Sequence, residues 1–305
     1  MPPSMPILSR RQVLGTMTAA GAMLAAGQPA FAATSASTTS AATSDLNQRL
    51  AELERAADDR VGVALMNVTT GAVASHRGHE RFLFNSTGKF FIAAAVLARV
   101  DEGSETLDRR IVVEKGDLVG WTPITEKRLG EPGLTVAELC QAAVAWSDNA
   151  AANALIESVG GPEAVTAFLR AIGDDTTRLD RVEPDLNTHD HEGDERDTTT
   201  PLAMMVTLRT LLLGDALSPS SRHQLAAWMI EGKVGDARLR AGMPSSWLVG
   251  EKTGTNGVGN ASDIGIGWPG DRGAVIAVAY TLMPSATKTQ RDDTIAAVGR
   301  LAARV

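Results

Sequence analysis

Three short polar motifs carry the residue types that acyl-transfer chemistry needs. Ser86-Thr87-Gly88-Lys89 sets a hydroxyl and an amine three residues apart. On a helix that spacing is one face, so Lys89 reaches the Ser86 oxygen. A serine hydroxyl is a weak nucleophile until a base takes its proton. Ser86 is expected to open a buried helix, where free backbone N–H groups favour developing negative charge. Ser147-Asp148-Asn149 lies between two helical runs. There Ser147 could hand a proton to a leaving nitrogen and Asn149 could bind a substrate carbonyl, although the same residue types also cap helices. Lys252-Thr253-Gly254-Thr255 falls on a predicted strand. Lys252 would supply a positive field near Ser147, Gly254 a close backbone approach, and Thr255 an N–H aimed at the substrate oxygen.

Each motif alone is weak, but their order on helix, loop and strand is the active-site set of penicillin-recognising serine enzymes. A fourth stretch narrows the family. Arg181-Val182-Glu183-Pro184-Asp185-Leu186-Asn187, with Asp194-Glu195-Arg196-Asp197-Thr198-Thr199-Thr200-Pro201 after it, resembles the Ω-loop of class A serine β-lactamases. The resemblance covers 45–305 and implies β-lactam hydrolysis through an acyl-enzyme on Ser86. It implies that Glu183 and Asn187 hold the deacylating water, that Arg181 and Asp197 pair at the loop base, and that Glu183-Pro184 is a cis bond. It also makes Trp121 an aromatic gate at the pocket mouth and Arg238 the cation for the substrate carboxylate. Thr253 and Thr255 complete the expected substrate-binding set with Asn149, Asn187 and Lys252. Either Lys89 or Glu183 could take the Ser86 proton in acylation.

Three rivals share Ser-x-x-Lys chemistry: a D-alanyl-D-alanine peptidase, a β-lactam sensor and a serine-dependent glutaminase. The 181–197 stretch argues against the peptidase and the glutaminase, and a sensor would need a membrane signalling segment. Departures from the family pattern fall at Asn85, at Gly88 where a bulky apolar residue is usual, and at Asn256. The bridge that some members build between the positions of Asn85 and Asn256 is therefore lost. The Ω-like loop is also one residue longer than usual.

The elements that must position these residues follow from the hydrophobic pattern. Residues 45–59 read as an amphipathic helix, 61–68 and 72–76 as strands, and 90–100 as a helix apolar all round, hence buried. Strand signals return at 247–252, 264–268 and 274–281 with short turns between, and 287–305 reads as a closing helix. This predicts an α+β fold of three-layer α/β/α type. An antiparallel sheet of about five strands is built from both termini (45–79 and 236–305) around an all-helical insertion (80–235), with the active site between them.

The 305 residues are enough for one large domain or two small ones. Ser9-Arg10-Arg11 before a short, weakly apolar stretch, and Ala30-Phe31-Ala32 after it, match a twin-arginine-type signal over 1–32. Residues 33–44 read as a flexible mature N-terminus. The protein is thus expected in a periplasm or secreted, free of membrane after cleavage. Its formal charge is −7, or about −9 without the leader, which disfavours nucleic acid or anionic membrane as partner. The single cysteine, Cys140, sits in an apolar run and is read as a buried hydrophobe. His189-Asp190-His191 with Asp194 imitates part of a zinc site, but only His223 follows it. No metal and no cofactor are expected; a β-lactam is the expected partner of a monomer.

Overall fold

The computed structural model describes residues 31–270 and 273–305. The signal reading over 1–32 lies almost wholly outside them. The chain runs α1 (Phe31–Ala57), β1 (Arg60–Asn67), β2 (Val73–His76), β3 (Phe82–Leu83), α2 (Lys89–Asp101), β4 (Arg110–Ile111) and β5 (Leu134–Thr135). It continues through α3 (Val136–Ala145), α4 (Asn149–Val159), α5 (Pro162–Ala171), β6 (Thr198–Thr199), α6 (Pro201–Leu213) and α7 (Pro219–Ile230). It closes with α8 (Leu239–Gly242), β7 (Leu248–Thr255), β8 (Asn260–Trp268), β9 (Val275–Leu282) and α9 (Lys288–Ala302).

The main sheet has the order β2-β1-β9-β8-β7, antiparallel throughout, so the two ends of the chain meet at the β1–β9 pair. Its strands alternate between two cores, as the period of two demands. Val63, Leu65, Ala277 and Ala279 face α1, α8 and α9. Ala64, Ile276, Val278 and Tyr280 face the helical half of the molecule, where α6 lies across β1 and β9. Helices on both faces of one sheet give the α+β sandwich read from the sequence.

The helical half is centred on α2. Phe90, Phe91, Ile92, Val96 and Leu97 are all buried there, each worth about 1.5–3 kcal/mol of burial. A charged substitution at Phe91 would break this packing. Cys140 is buried and unpaired in the same core. Proline at the first helical position and a side-chain cap start α6 at Thr200 and α7 at Ser218, as the sequence signals predict.

Helix α1 begins at Phe31 and takes in the tract 33–44, whose alanines favour helix. One expectation needs correction. Ser86 does not open α2. It stands in a separate 3-10 turn, Asn85–Gly88, and α2 starts at Lys89. Asn85 enters that turn with a φ of 49°, a left-handed conformation that interrupts continuous helix.

Candidate active site

The 3-10 turn helps the chemistry, because side chains three apart eclipse in that geometry. Lys89 Nζ donates to Ser86 Oγ at 2.8 Å. It also meets Asn149 Oδ1 at 2.6 Å and the Ser147 carbonyl at 3.1 Å, and lies 2.7 Å from Glu183 Oε1. Ser86 Oγ is 3.5 Å from the same Glu183 oxygen. Four acceptors therefore surround three ammonium hydrogens, and Lys89 is 1% exposed.

Gly88 has a structural reason to be glycine. A Cβ there would lie 2.7 Å from the Phe84 ring, which packs edge-on against Phe91. The departure in the motif is matched by an aromatic neighbour that fills the space.

Ser147-Asp148-Asn149 is held by its middle residue. The buried Asp148 carboxylate accepts from the backbone N–H groups of Ile124 (3.0 Å), Thr125 (2.9 Å) and Ala151 (2.9 Å), and from the Thr125 hydroxyl. This clamp caps α4 and holds Ser147 in a left-handed conformation, φ 62°. Such a conformation costs a non-glycine residue about 1–3 kcal/mol and persists only when its surroundings impose it. Ser147 Oγ accepts from Lys252 Nζ at 3.0 Å. Lys252 is as buried as Lys89 and gives its other contact to the Thr253 carbonyl. Burial, and next the charge of Lys89, push its amine well below the ordinary lysine value.

Glu183 is held at its backbone and at its carboxylate. Its backbone exchanges two hydrogen bonds with the Asn153 amide, both 2.9 Å. Its second carboxylate oxygen accepts from Asn187 Nδ2 at 2.6 Å, and the Glu183–Pro184 bond is cis. At the loop base, Asp197 accepts from Arg181 Nε at 2.6 Å and from two backbone N–H groups. The loop is also tied to its surroundings by two asparagines. Asn85 Nδ2 donates to Asn187 Oδ1 (3.0 Å), and Asn256 Nδ2 donates to the Asn187 carbonyl (2.8 Å). The two positions that could have bridged each other both hold Asn187 instead.

Strand β7 forms the opposite wall. Gly254 allows the contact: a Cβ would come 2.9 Å from the Phe84 carbonyl. Arg238 is buried, with its guanidinium on Asp292, on the Gly254 and Ser262 carbonyls, and on Thr255 Oγ1 at 2.7 Å. Trp121, 58% exposed, stands at the mouth and donates from its indole to the Trp146 carbonyl at 2.9 Å. These walls enclose a cleft of about 440 Å³, which Ser86, Trp121, Ser147, Glu183, Arg238 and Thr255 help to line. A nucleophile, two lysines and a carboxylate converge on a space the size of a small-molecule ligand.

The family model described as "Beta-lactamase enzyme family" matches residues 45–305. Among curated relatives, β-lactamase OXY-2 of Klebsiella oxytoca is 45% identical over 280 residues, 92% of this chain and 95% of the relative. β-Lactamase CTX-M-8 of Citrobacter amalonaticus is 45% identical over 84% of this chain and 88% of its own. Among solved structures, an ancestral class A β-lactamase superposes with a TM-score of 0.82 at 56% identity, covering 84% of this chain and 98% of that one.

The chain belongs to the class A β-lactamase family.

All eleven residues expected from the sequence surround this one cleft or touch a side chain that does. Asn153, Asp148, Asn85 and Asn256 were not among them. Asp148 carried a signal as the middle of Ser-Asp-Asn, and Asn85 and Asn256 as departures from the family pattern; Asn153 acts on a partner far away in sequence. The imitation zinc run is engaged elsewhere, since Asp190 and Asp194 both bind Arg196. Among the described residues no group of three or more His, Cys, Asp or Glu could hold a metal ion.

Proposed function

We propose that this β-lactamase opens the β-lactam ring by attack of Ser86 and clears the resulting ester with a water activated by Glu183. One observation carries the reading: Ser86 Oγ, Lys89 Nζ and Glu183 Oε1 lie 2.7–3.5 Å apart in one cleft. Lys89 Nζ donates to Ser86 Oγ, Asn149 Oδ1 and the Ser147 carbonyl, and the Ser86 hydroxyl in turn faces Glu183 Oε1. Glu183 is thus the favoured acylation base, directly or through a water. The backbone N–H groups of Ser86 and Thr255 form the oxyanion site, each donor worth about 3 kcal/mol in such sites. Ser147, polarised by Lys252, protonates the departing ring nitrogen. Asn149 and Thr253 orient the substrate amide and carboxylate, Arg238 supplies positive field behind Thr255, and Trp121 covers the mouth. Glu183 and Asn187 then hold the hydrolytic water against the ester, a general-base step worth about 10²–10⁴-fold.

A D-alanyl-D-alanine peptidase would not need a carboxylate and an amide at this distance from the acyl serine. β-Lactam hydrolysis makes the protein a resistance enzyme. We further read it as exported through a twin-arginine-type signal over 1–32, periplasmic or secreted, and active as a monomer. Among the described residues no helix is long and apolar enough to cross a membrane. We also divide the chain into a sheet domain (45–79 and 236–305) and a helical domain (80–235) with the cleft between.

The test is hydrolysis of a chromogenic cephalosporin together with covalent labelling by a penicillin. The parent enzyme turns over the first and is labelled at Ser86 by the second; Ser86→Ala does neither. Labelling of another residue in that variant overturns the assignment of the nucleophile.

A further inference from the structure

Behind strand β7, on the face away from Ser86, two buried carboxyl groups lie together without enough donors. Glu251 and Asp263 are 2% and 0% exposed. They are diagonal neighbours on one sheet face, since Glu251 pairs with Gly265 and Thr253 with Asp263. Each uses one oxygen. Glu251 Oε1 accepts from Arg240 Nε at 3.1 Å, and Asp263 Oδ2 accepts from the Leu239 N–H at 3.0 Å. Glu251 Oε2 and Asp263 Oδ1 are buried with no partner. Two ionised carboxylates would leave both of these oxygens unsatisfied and repelling each other, an arrangement that does not persist in a dry interior. One proton between them satisfies both.

We propose that Glu251 and Asp263 share a single proton and act as positioning residues that clamp the Arg238–Arg240 segment onto the sheet. The clamp has two ends. Asp263 holds the backbone of Leu239, next to Arg238; Glu251 holds the Arg240 side chain one residue further on. Gly235, at the start of the same segment, lies so close to Glu251 that a Cβ would strike its carboxylate. Arg238 reaches the cleft only because this segment lies flat on β7 and β8, from where its guanidinium bonds Thr255.

The charges around the pair agree with a single negative charge. Arg240, on α8, neutralises the carboxylate that remains, and Asp236 also faces Arg240, at 3.6 Å. Arg238 is already paired with Asp292 on α9. From the strands, Lys252 and Tyr280 feel the charge of Asp263. Burial first, and the Glu251 charge second, hold the Asp263 carboxyl well above the usual carboxylate range. An acid raised in the folded state keeps a proton that the unfolded chain has lost. The stability it supports is therefore present at low pH and falls as pH rises from the ordinary carboxylate range toward the raised value.

The experiment compares Asp263→Asn and Asp263→Ala with the parent. An asparagine amide donates to Glu251 and accepts from Leu239 N–H, so it imitates the protonated acid; alanine does neither. Difference infrared spectroscopy of parent minus Asp263→Asn at neutral pH is expected to show the C=O stretch of a protonated carboxyl. The thermal midpoint of the parent should fall with rising pH relative to that of Asp263→Asn. The kinetic arm rests on the β-lactamase reading: Asp263→Ala raises KM for a penicillin about tenfold, the loss expected when roughly 1.4 kcal/mol of binding is removed, with kcat little changed, and Asp263→Asn restores it. Absence of the protonated-carboxyl band, or equal pH dependence of the two midpoints, overturns the shared proton. Unchanged KM in Asp263→Ala overturns the positioning role. A parent enzyme that hydrolyses no cephalosporin defeats the functional reading and leaves the infrared and thermal results to judge the proton.

Discussion

Two lysines sit buried in the same site, and the protein surrounds them differently. Lys89 has a carboxylate oxygen at 2.7 Å, and its remaining hydrogens go to Ser86, Asn149 and the Ser147 carbonyl. Lys252 is equally hidden but contacts only a hydroxyl and a carbonyl, so burial drives its amine toward the neutral form. The difference lies in the partners: Lys89 has a carboxylate in contact and Lys252 has none among the described residues. Lys89 Nζ lies between Ser86 Oγ and Glu183 Oε1 and ties the two together. Lys252 is held on Ser147 Oγ, at 3.0 Å.

Removing the Ser86 oxygen, which Lys89 holds directly, has the largest effect. Ser86→Ala should lower cephalosporin turnover by about 10⁴-fold or more, as loss of a serine nucleophile does elsewhere; steady-state rates check it. Glu183→Gln breaks the comparison from the Lys89 side. It removes the carboxylate from a buried pair, and breaking such a pair costs about 3–5 kcal/mol. Denaturant unfolding at neutral pH measures that loss.

Lys252→Met sharpens the contrast from the other side. The native amine is lowered while the unfolded one is not, so the unfolded chain binds more protons between the two values. Parent stability should therefore rise with pH through that window, below the ordinary lysine value of 10.5. The variant should lose this slope and acylate more slowly, as pH-dependent melting and stopped-flow acylation would show. The smallest expected effect belongs to Asn256→Ala, which frees one tie on Asn187. It should cost about 0.5–1.5 kcal/mol, the net value of one hydrogen bond, read as a modest fall in thermal midpoint and in deacylation rate.

The same contrast explains what the sequence disclosed. Ser86 and Lys89 are three apart, so spacing makes that pair legible; Glu183 and Asn187 were legible through the family resemblance of the 181–197 stretch. The five-stranded sheet was legible because its strands alternate between two cores. Hidden from the sequence were contacts that join distant segments. Asn153 holds the backbone of Glu183 from thirty positions upstream, and Asn85 and Asn256 meet on Asn187 from opposite walls. The interruption of helix before Lys89 depends on a backbone angle at Asn85 that residue type alone does not announce. Nor does Glu251, one residue before a familiar lysine, signal that its oxygen meets Asp263 twelve positions later.

Intact-mass spectrometry of Glu183→Ala after brief exposure to a penicillin tests the central claim most directly. A stable adduct carrying the whole penicillin mass, mapped by peptide digestion to Ser86, is the predicted result. Turnover at the parent rate without an adduct would contradict the role given to Glu183.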